Sequence, residues 1–196
     1  MFKMQKENFT EVMKDLQGYF KSGERKAIYN ACENLRDRVL IRLLWKTGRR
    51  VGEILMLKVG DINFQDRHIL WNIEKKKKPT KRIKPIDDFT LKLLKFYIES
   101  EGLQAFDKVI NISRQRVFQI VRDRAAKVGI YYVGTKRPHP HHFRHSFAID
   151  MVKRSTSAGD IRKVQQILEH SNLGTTESYL QFGSEDLREM IEQEDD

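Results

Sequence analysis

Apolar residues recur at helical spacing along most of this 196-residue chain, and the spacing changes to two in a single short stretch. This periodicity constrains the fold most, because a period near 3.6 buries one face of a helix and a period of two buries one face of a strand. We therefore expect a mainly helical protein. The helical stripes fall within residues 9–20, 35–44, 51–57, 91–98, 117–128, 143–152 and 161–168.

The stretch with a period of two contains Ile69, Trp71 and Ile73. A turn is predicted at 78–80, followed by a returning strand over 82–86, so the two runs form an antiparallel β-hairpin. The fold class expected is mainly α with this small hairpin or sheet (α+β). The helix before residue 129 is predicted to begin after Ser113 and to end at Gly129.

The charge pattern divides the chain further. A polar break at Ser22–Glu24 follows the first helical stripe. We assign residues 1–34 to an N-terminal helix and linker, 35–183 to one domain, and 184–196 to an acidic tail. The chain has a net charge of +10, and residues 185–196 hold seven acidic residues and one basic, which leaves +16 for residues 1–184. So basic a body predicts a polyanionic partner, most often nucleic acid.

The acidic tail has two interpretations. It is either a disordered solubilising end, or a helix that places an apolar stripe on a neighbouring subunit. The stripe would consist of Leu187, Met190 and Ile191. The sequence also predicts a cytoplasmic protein without a membrane partner, because it has no long apolar stretch and no signal peptide at residues 1–8. Cys32 is the only cysteine, so no internal disulfide can form.

Four short motifs could together cut a nucleic-acid backbone. They are Thr47-Gly48-Arg49-Arg50-Val51-Gly52-Glu53, Pro140-His141-His142-Phe143-Arg144-His145, Leu168-Glu169-His170 and Thr175-Thr176-Glu177-Ser178-Tyr179. Phosphoryl transfer needs a nucleophile, cations for the crowded phosphorus, and an acid for the leaving oxygen. The sequence offers no cysteine–histidine ligand set and no acidic cluster in its basic body, so we expect no metal.

The order of these motifs resembles that of the tyrosine recombinase catalytic domain, the family of phage integrases and Xer-like recombinases. The resemblance covers residues 35–182, and it rests on all four motifs in sequence, since each alone is weak. It implies a tyrosine recombinase catalytic-domain fold. It also implies site-specific DNA recombination of the integration or excision type through a Holliday junction, without a cofactor.

The resemblance implies a role for each matching residue. Arg50 and Arg144 would grip the scissile phosphate, and His141 would hydrogen-bond it and assist proton transfer. His170 would fill the family's His or Trp position. Tyr179 would attack phosphorus to give a 3′-phosphotyrosine and a free 5′-hydroxyl.

The family also implies a catalytic lysine at the hairpin turn, which would protonate the leaving 5′-oxygen. Lys75 to Lys84 includes seven basic residues in ten positions. Counting back from the returning strand favours Lys77, whereas counting forward from Arg50 favours Lys75. We assign Lys77 and keep Lys75 as the alternative.

Further DNA contacts are expected at the hairpin and on the helix that follows Ser113. Phosphate contacts come from long basic side chains, and base edges are read by arginine and glutamine on a helix in the major groove. The residues assigned to DNA binding are Lys76, Lys78, Lys81, Arg82, Arg114, Gln115, Arg116 and Gln119. For both groups the alternative is a solvated surface.

Three features depart from the family pattern. Glu169 stands where the family usually has glycine, and residues 154–159 resemble a small insertion. Residues 1–34 are too few for the helical domain that usually precedes this one and closes a clamp around DNA. The expected partner is double-stranded DNA with a specific site, bound by a homo-tetramer that is largely monomeric when free. The alternatives are a non-catalytic DNA-binding relative and a type IB-like topoisomerase.

Overall fold

The computed structural model describes residues 18–73 and 80–153. Within these ranges the chain forms six α-helices and one small sheet. The helices are α1 (Ser22–Asn30), α2 (Leu35–Thr47), α3 (Val51–Met56), α4 (Asp88–Ser100), α5 (Arg114–Lys127) and α6 (Pro140–Lys153). The strands are β1 (Ile62–Asn63), β2 (His68–Asn72) and β3 (Lys81–Pro85), and a 3-10 turn over Val59–Asp61 precedes β1.

Side-chain caps fix the starts of three helices. Asn34 accepts a hydrogen bond from the Asp37 amide at 2.8 Å, and Asp87 accepts one from the Thr90 amide at 3.0 Å. Ser113 likewise accepts from the amide three residues on. Each cap satisfies an amide that the helix itself leaves unpaired. The prediction that α5 begins after Ser113 is therefore confirmed.

The sheet is antiparallel, with the strand order β1-β2-β3. In its register Ile69 lies opposite Lys84, and Trp71 lies opposite Arg82. Ile69 and Trp71 are buried, whereas β3 is largely exposed. The predicted hairpin is confirmed, and the short strand β1 is an addition that its two residues did not signal.

Helix α2 is the centre of the fold, because α1, α3, α4 and α6 all pack on it. Its Leu40, Leu43 and Leu44 are fully buried. Burying a leucine stabilises a fold by about 1.5–3 kcal/mol, so this helix alone supplies a substantial share of the core. The expected fold class, mainly α with a small antiparallel sheet, is confirmed.

The expectation of a polar break at Ser22–Glu24 is wrong. These residues form the first turn of α1, where the Glu24 carboxylate accepts from the Lys21 amide at 2.7 Å. A serine, a glycine and a glutamate are common at helix starts, and the buried Ile28 and Arg25 anchor the rest of the helix. The predicted helical stripe at 9–20 lies outside the described residues up to residue 17, and its end is wrong, because residues 18–20 are not helical. The stripe at 161–168 and the tail at 184–196 lie outside the described residues.

The segment before α1 packs directly against α6. Ser146 Oγ accepts from the Phe20 amide at 2.8 Å and lies 3.0 Å from the Phe20 carbonyl oxygen. The Phe20 ring is fully buried and lies 4.7 Å from the Phe143 ring. No helix in the described ranges is long and apolar enough to cross a bilayer.

Candidate active site

The Thr47–Glu53 motif forms the sharp connection between α2 and α3. Gly48 adopts a left-handed conformation, with φ 59° and ψ 19°, and ends α2. A Cβ on Gly48 would lie 2.5 Å from Cδ1 of Phe147, so glycine is required here for space as well as for φ. The turn directs the next two residues, Arg49 and Arg50, away from α2.

Arg50 caps the start of α3, where it is held by Glu53. Its amide lies 3.2 Å from Glu53 Oε2, and its Nη1 donates to Oε1 at 3.1 Å. The Arg50 side chain keeps 18% of its surface exposed, so the guanidinium can still be reached from solvent. Arg49 faces inward instead, 3.6 Å from the same carboxylate and 5.7 Å from the Trp71 ring.

Glu53 is a residue of the candidate site to which the sequence alone assigned no role. Its carboxylate is fully buried and pairs with both Arg49 and Arg50. A buried charge of this kind persists only when it is paired. The available signal was a glutamate inside an otherwise apolar short helix, three residues after the arginine.

Arg144 reaches the same connection from α6. Its Nη1 donates to the Gly48 carbonyl oxygen at 2.7 Å, and the side chain is buried. Gly48 precedes Arg50 by two residues, so this hydrogen bond joins α6 to the turn that carries Arg50. Two motifs that are more than ninety residues apart in the sequence therefore meet at one place in the fold.

His141 lies in the first turn of α6 and is half-buried. Its ring lies 6.0 Å from that of His139. The free amides at a helix start attract anions, and His141 and Arg144 lie three residues apart, on one side of that start. The described part of the site thus offers guanidinium groups, an imidazole and helix amides, with Glu53 as a single carboxylate.

His142 behaves differently from its neighbours, because it is buried. Its Nδ1 accepts from the His139 amide at 3.3 Å, and its ring packs edge-on against Phe20 at 5.6 Å. Burial, followed by the nearby His139, His145, Lys136 and His141, lowers the pKa of His142 to about 3. His142 is therefore neutral at physiological pH and supports the start of α6.

The remaining predicted site residues divide into two groups. Lys81 and Arg82 lie on the exposed strand β3, and Lys81 Nζ is 3.8 Å from Asp61. The helix α5 exposes all four of its predicted residues, Arg114, Gln115, Arg116 and Gln119. Outside the described residues lie His170, Tyr179 and the hairpin lysines Lys75, Lys76, Lys77 and Lys78.

The described ranges contain no group of three or more His, Cys, Asp or Glu side chains arranged to hold a metal ion. This statement concerns only residues 18–73 and 80–153. The roles of Arg50, His141 and Arg144 stay predictions, and so do those of the DNA-binding residues.

Known proteins are similar to this chain in sequence and in fold. Residues 19–185 match the model of the phage integrase family. The chain is 30% identical to tyrosine recombinase XerA of Pyrococcus horikoshii over 190 residues, which cover 93% of this chain and 63% of that protein. It is 32% identical to tyrosine recombinase XerD of Staphylococcus saprophyticus, over 79% of this chain and 53% of the relative.

Solved structures agree with these matches. A crystal structure of XerA recombinase superposes with a TM-score of 0.71 at 29% identity, and covers 90% of this chain and 62% of that one. A post-cleavage complex of XerH site-specific recombinase with a palindromic difH substrate has a TM-score of 0.73 at 22% identity, over 92% and 54%. This chain spans between half and two thirds of the length of these relatives.

Proposed function

This chain belongs to the phage integrase family, and we propose that it cuts and rejoins DNA at specific sites as a tyrosine recombinase. The observation that carries the proposal is the hydrogen bond from Arg144 to the Gly48 carbonyl, which brings the HxxR helix to the turn that holds Arg50. Two guanidinium groups beside helix amides suit a phosphodiester, because each can donate two parallel hydrogen bonds to its oxygens.

The proposed reaction proceeds in two balanced steps. Tyr179 Oη attacks the scissile phosphorus and forms a 3′-phosphotyrosine while its hydroxyl proton passes to His141, and the 5′-oxygen leaves and takes a proton from Lys77 or, as the alternative, Lys75. In the second step the 5′-hydroxyl of a partner strand attacks and gives its proton to that lysine, and Tyr179 leaves and recovers its proton from His141. Arg50 and Arg144 stabilise the charge on phosphorus in both steps.

Glu53 acts through Arg50 in this proposal. A free arginine loses side-chain entropy when it must be fixed on a substrate, and a preformed ion pair reduces that loss. The 3.1 Å contact with the fully buried carboxylate holds the guanidinium before DNA arrives.

The proposed partner is duplex DNA with a recombination site, inside the cell where that DNA lies. A homo-tetramer binds it and exchanges the strands through a Holliday junction. A lambda integrase tetramer bound to a Holliday junction is among the structural neighbours, at 19% identity and a TM-score of 0.65. The residues proposed to contact DNA on α5 are all exposed, as contact with DNA requires.

The test is covalent trapping. Duplexes that carry candidate sites with a bridging phosphorothiolate are incubated with the full chain and run on a denaturing gel. The wild type should give a covalent band that Tyr179→Phe abolishes. Arg50→Ala and Arg144→Ala should each slow band formation by about 10²–10³-fold, the cost of losing one charge-stabilising donor. Arg67→Ala, an exposed arginine paired with Asp88, is the matched control.

The outcomes separate the candidate functions. A band that persists in Tyr179→Phe would overturn the assignment of the nucleophile. If no duplex gives a band while a native gel shows binding, the chain acts as a non-catalytic DNA-binding relative. Relaxation of supercoiled plasmid without site preference would favour the topoisomerase.

A further inference from the structure

A groove of about 480 Å³ runs between the second half of α5 and the segment that leads into α6. Its walls include Arg122, Tyr131, Tyr132 and Arg137, and we call it the tyrosine groove. We propose that the tyrosine groove binds a phosphate of the DNA backbone beside the cleavage site. The inference rests on the proposed function and adds a contact surface that none of the four motifs contains.

The two tyrosines are unusually open for aromatic residues. Tyr131 is 64% exposed and Tyr132 is 63% exposed. The backbone on either side of them is held, because the Ile130 amide donates to the Ala125 carbonyl at 2.9 Å and the Val133 amide donates to the Lys136 carbonyl at 2.8 Å. Buried tyrosines contribute to a core, whereas tyrosine rings left exposed at the surface are enriched at binding sites.

The two arginines of the tyrosine groove are available for a ligand. The side chains of Arg122 and Arg137 make no ion pair or hydrogen bond within the described residues, and both residues are exposed. Nearby Arg124, in contrast, is fixed by Glu33 and Asp37 at 3.2 Å each. Asp123 is the acidic residue on the wall of the groove, so the wall keeps a net positive charge.

The position of the groove connects two parts of the proposed DNA surface. Gln115, Gln119 and Arg122 follow one another at spacings of four and three on α5, so they share one side of the helix. From Gln115 to Arg122 the helix rises about 10 Å. At the other end of the tyrosine groove, Arg137 precedes His141 by four residues in the sequence.

The chemistry of the groove fits a phosphodiester. A guanidinium can donate to both non-bridging oxygens of a phosphodiester at once, a tyrosine hydroxyl can donate to one of them, and the rings can pack on deoxyribose. Such contacts orient the duplex without reading its sequence. The tyrosine groove would therefore set how the strand approaches Arg50 and Arg144.

Salt-dependent binding tests this inference. The full chain is titrated with a fluorescent duplex of random sequence, and the dissociation constant is measured at several salt concentrations. Each lost phosphate contact should reduce the slope of log K against log salt by about 0.9. Arg122→Ala/Arg137→Ala removes both arginines from the one proposed phosphate, so it should reduce the slope by about 0.9. Lys26→Ala/Lys92→Ala removes the same charge from the exposed sides of α1 and α4 and should leave the slope nearly unchanged.

Failure of the inference can be told from failure of the proposed function. If the wild type binds and Arg122→Ala/Arg137→Ala keeps its slope, or loses no more than the lysine control, the phosphate site is wrong and the recombinase proposal stands. If the wild type binds no duplex at any salt concentration, both are wrong. A matching melting temperature ensures that the arginine variant is folded, as expected for two exposed side chains.

Discussion

The replacement of Gly48 by alanine is the sharpest test of how the site is built. Two costs add. The left-handed backbone at φ 59° costs an alanine about 1–2 kcal/mol. In addition, the new Cβ would lie 2.5 Å from Phe147 Cδ1 and 2.9 Å from Cγ, so the ring on α6 must move. Overpacking of this kind costs about 1–3 kcal/mol.

The total expected loss is about 2–5 kcal/mol of unfolding free energy. For a chain of this length that lowers the melting temperature by roughly 5–15 °C. Scanning calorimetry on the full chain measures it. Strand cleavage should slow as well, because the Gly48 carbonyl that receives the Arg144 hydrogen bond shifts with the turn.

Two other glycines separate the two costs. Gly102 has φ 63° and open space where a Cβ would lie, so Gly102→Ala should show the backbone cost alone. Gly23 has open space and no positive φ, so Gly23→Ala should be neutral or slightly stabilising in its helix. In a Phe147→Ala background, most of the extra cost of Gly48→Ala over Gly102→Ala should disappear, since only the 3.2 Å contact with the Cβ of residue 147 remains. If Gly48→Ala and Gly102→Ala lose equal stability in the native background, the reasoning about the ring is refuted.

Three further perturbations follow from the site and its support. Glu53→Gln should slow strand cleavage at least tenfold, since Arg50 loses the charge that holds it. Asp150→Asn should cost about 3 kcal/mol in denaturant unfolding, because it leaves the buried guanidinium of Arg25 without its carboxylate. His142→Met should make the free energy of unfolding fall less steeply as the pH is lowered. The depressed pKa of His142 contributes stability that is fully present above pH about 6.5. That contribution disappears as the pH falls toward about 3.

Each of these three substitutions has a control variant or a result that would contradict the prediction. Arg67 and Asp88 form an exposed pair, so Arg67→Ala should change stability little where Asp150→Asn changes it strongly. A wild-type cleavage rate in Glu53→Gln would show that Arg50 is held by other contacts. The slope attributable to His142 is at most about 1.4 kcal/mol per pH unit, and identical pH curves for wild type and His142→Met would contradict its assignment.

The sequence alone predicted the elements whose pattern is local. Helix α5 could be delimited because Ser113 and Gly129 stand at its two ends, and the hairpin because Ile69 and Trp71 recur at a spacing of two. Helix α1 was missed because its first turn is Ser-Gly-Glu, and that composition is shared by helix starts and by loops. Its helical state depends on tertiary packing of Arg25 and Ile28.

The site was predictable only as a set of motifs. The resemblance identified Arg50, His141 and Arg144 as candidates. No spacing in the sequence predicts that Arg144 donates a hydrogen bond to the Gly48 carbonyl. The burial of Glu53 and His142 likewise depends on helices from distant parts of the chain. Long-range contacts of this kind are set by how helices pack, and the periodicity of apolar residues in a single sequence does not predict them.

The Ser146–Phe20 contact gives the molecule a defined response to mechanical load. The chain enters the described fold at Gly18, whose position leaves only 2.9 Å between a hypothetical Cβ and Nε2 of His142. Tension applied at Gly18 would reach the hydrogen bonds between Phe20 and Ser146 before any strand of the sheet. Because Ser146 lies two residues after Arg144, in an optical-trap experiment we expect cleavage to cease at a lower force than the one that unfolds the domain.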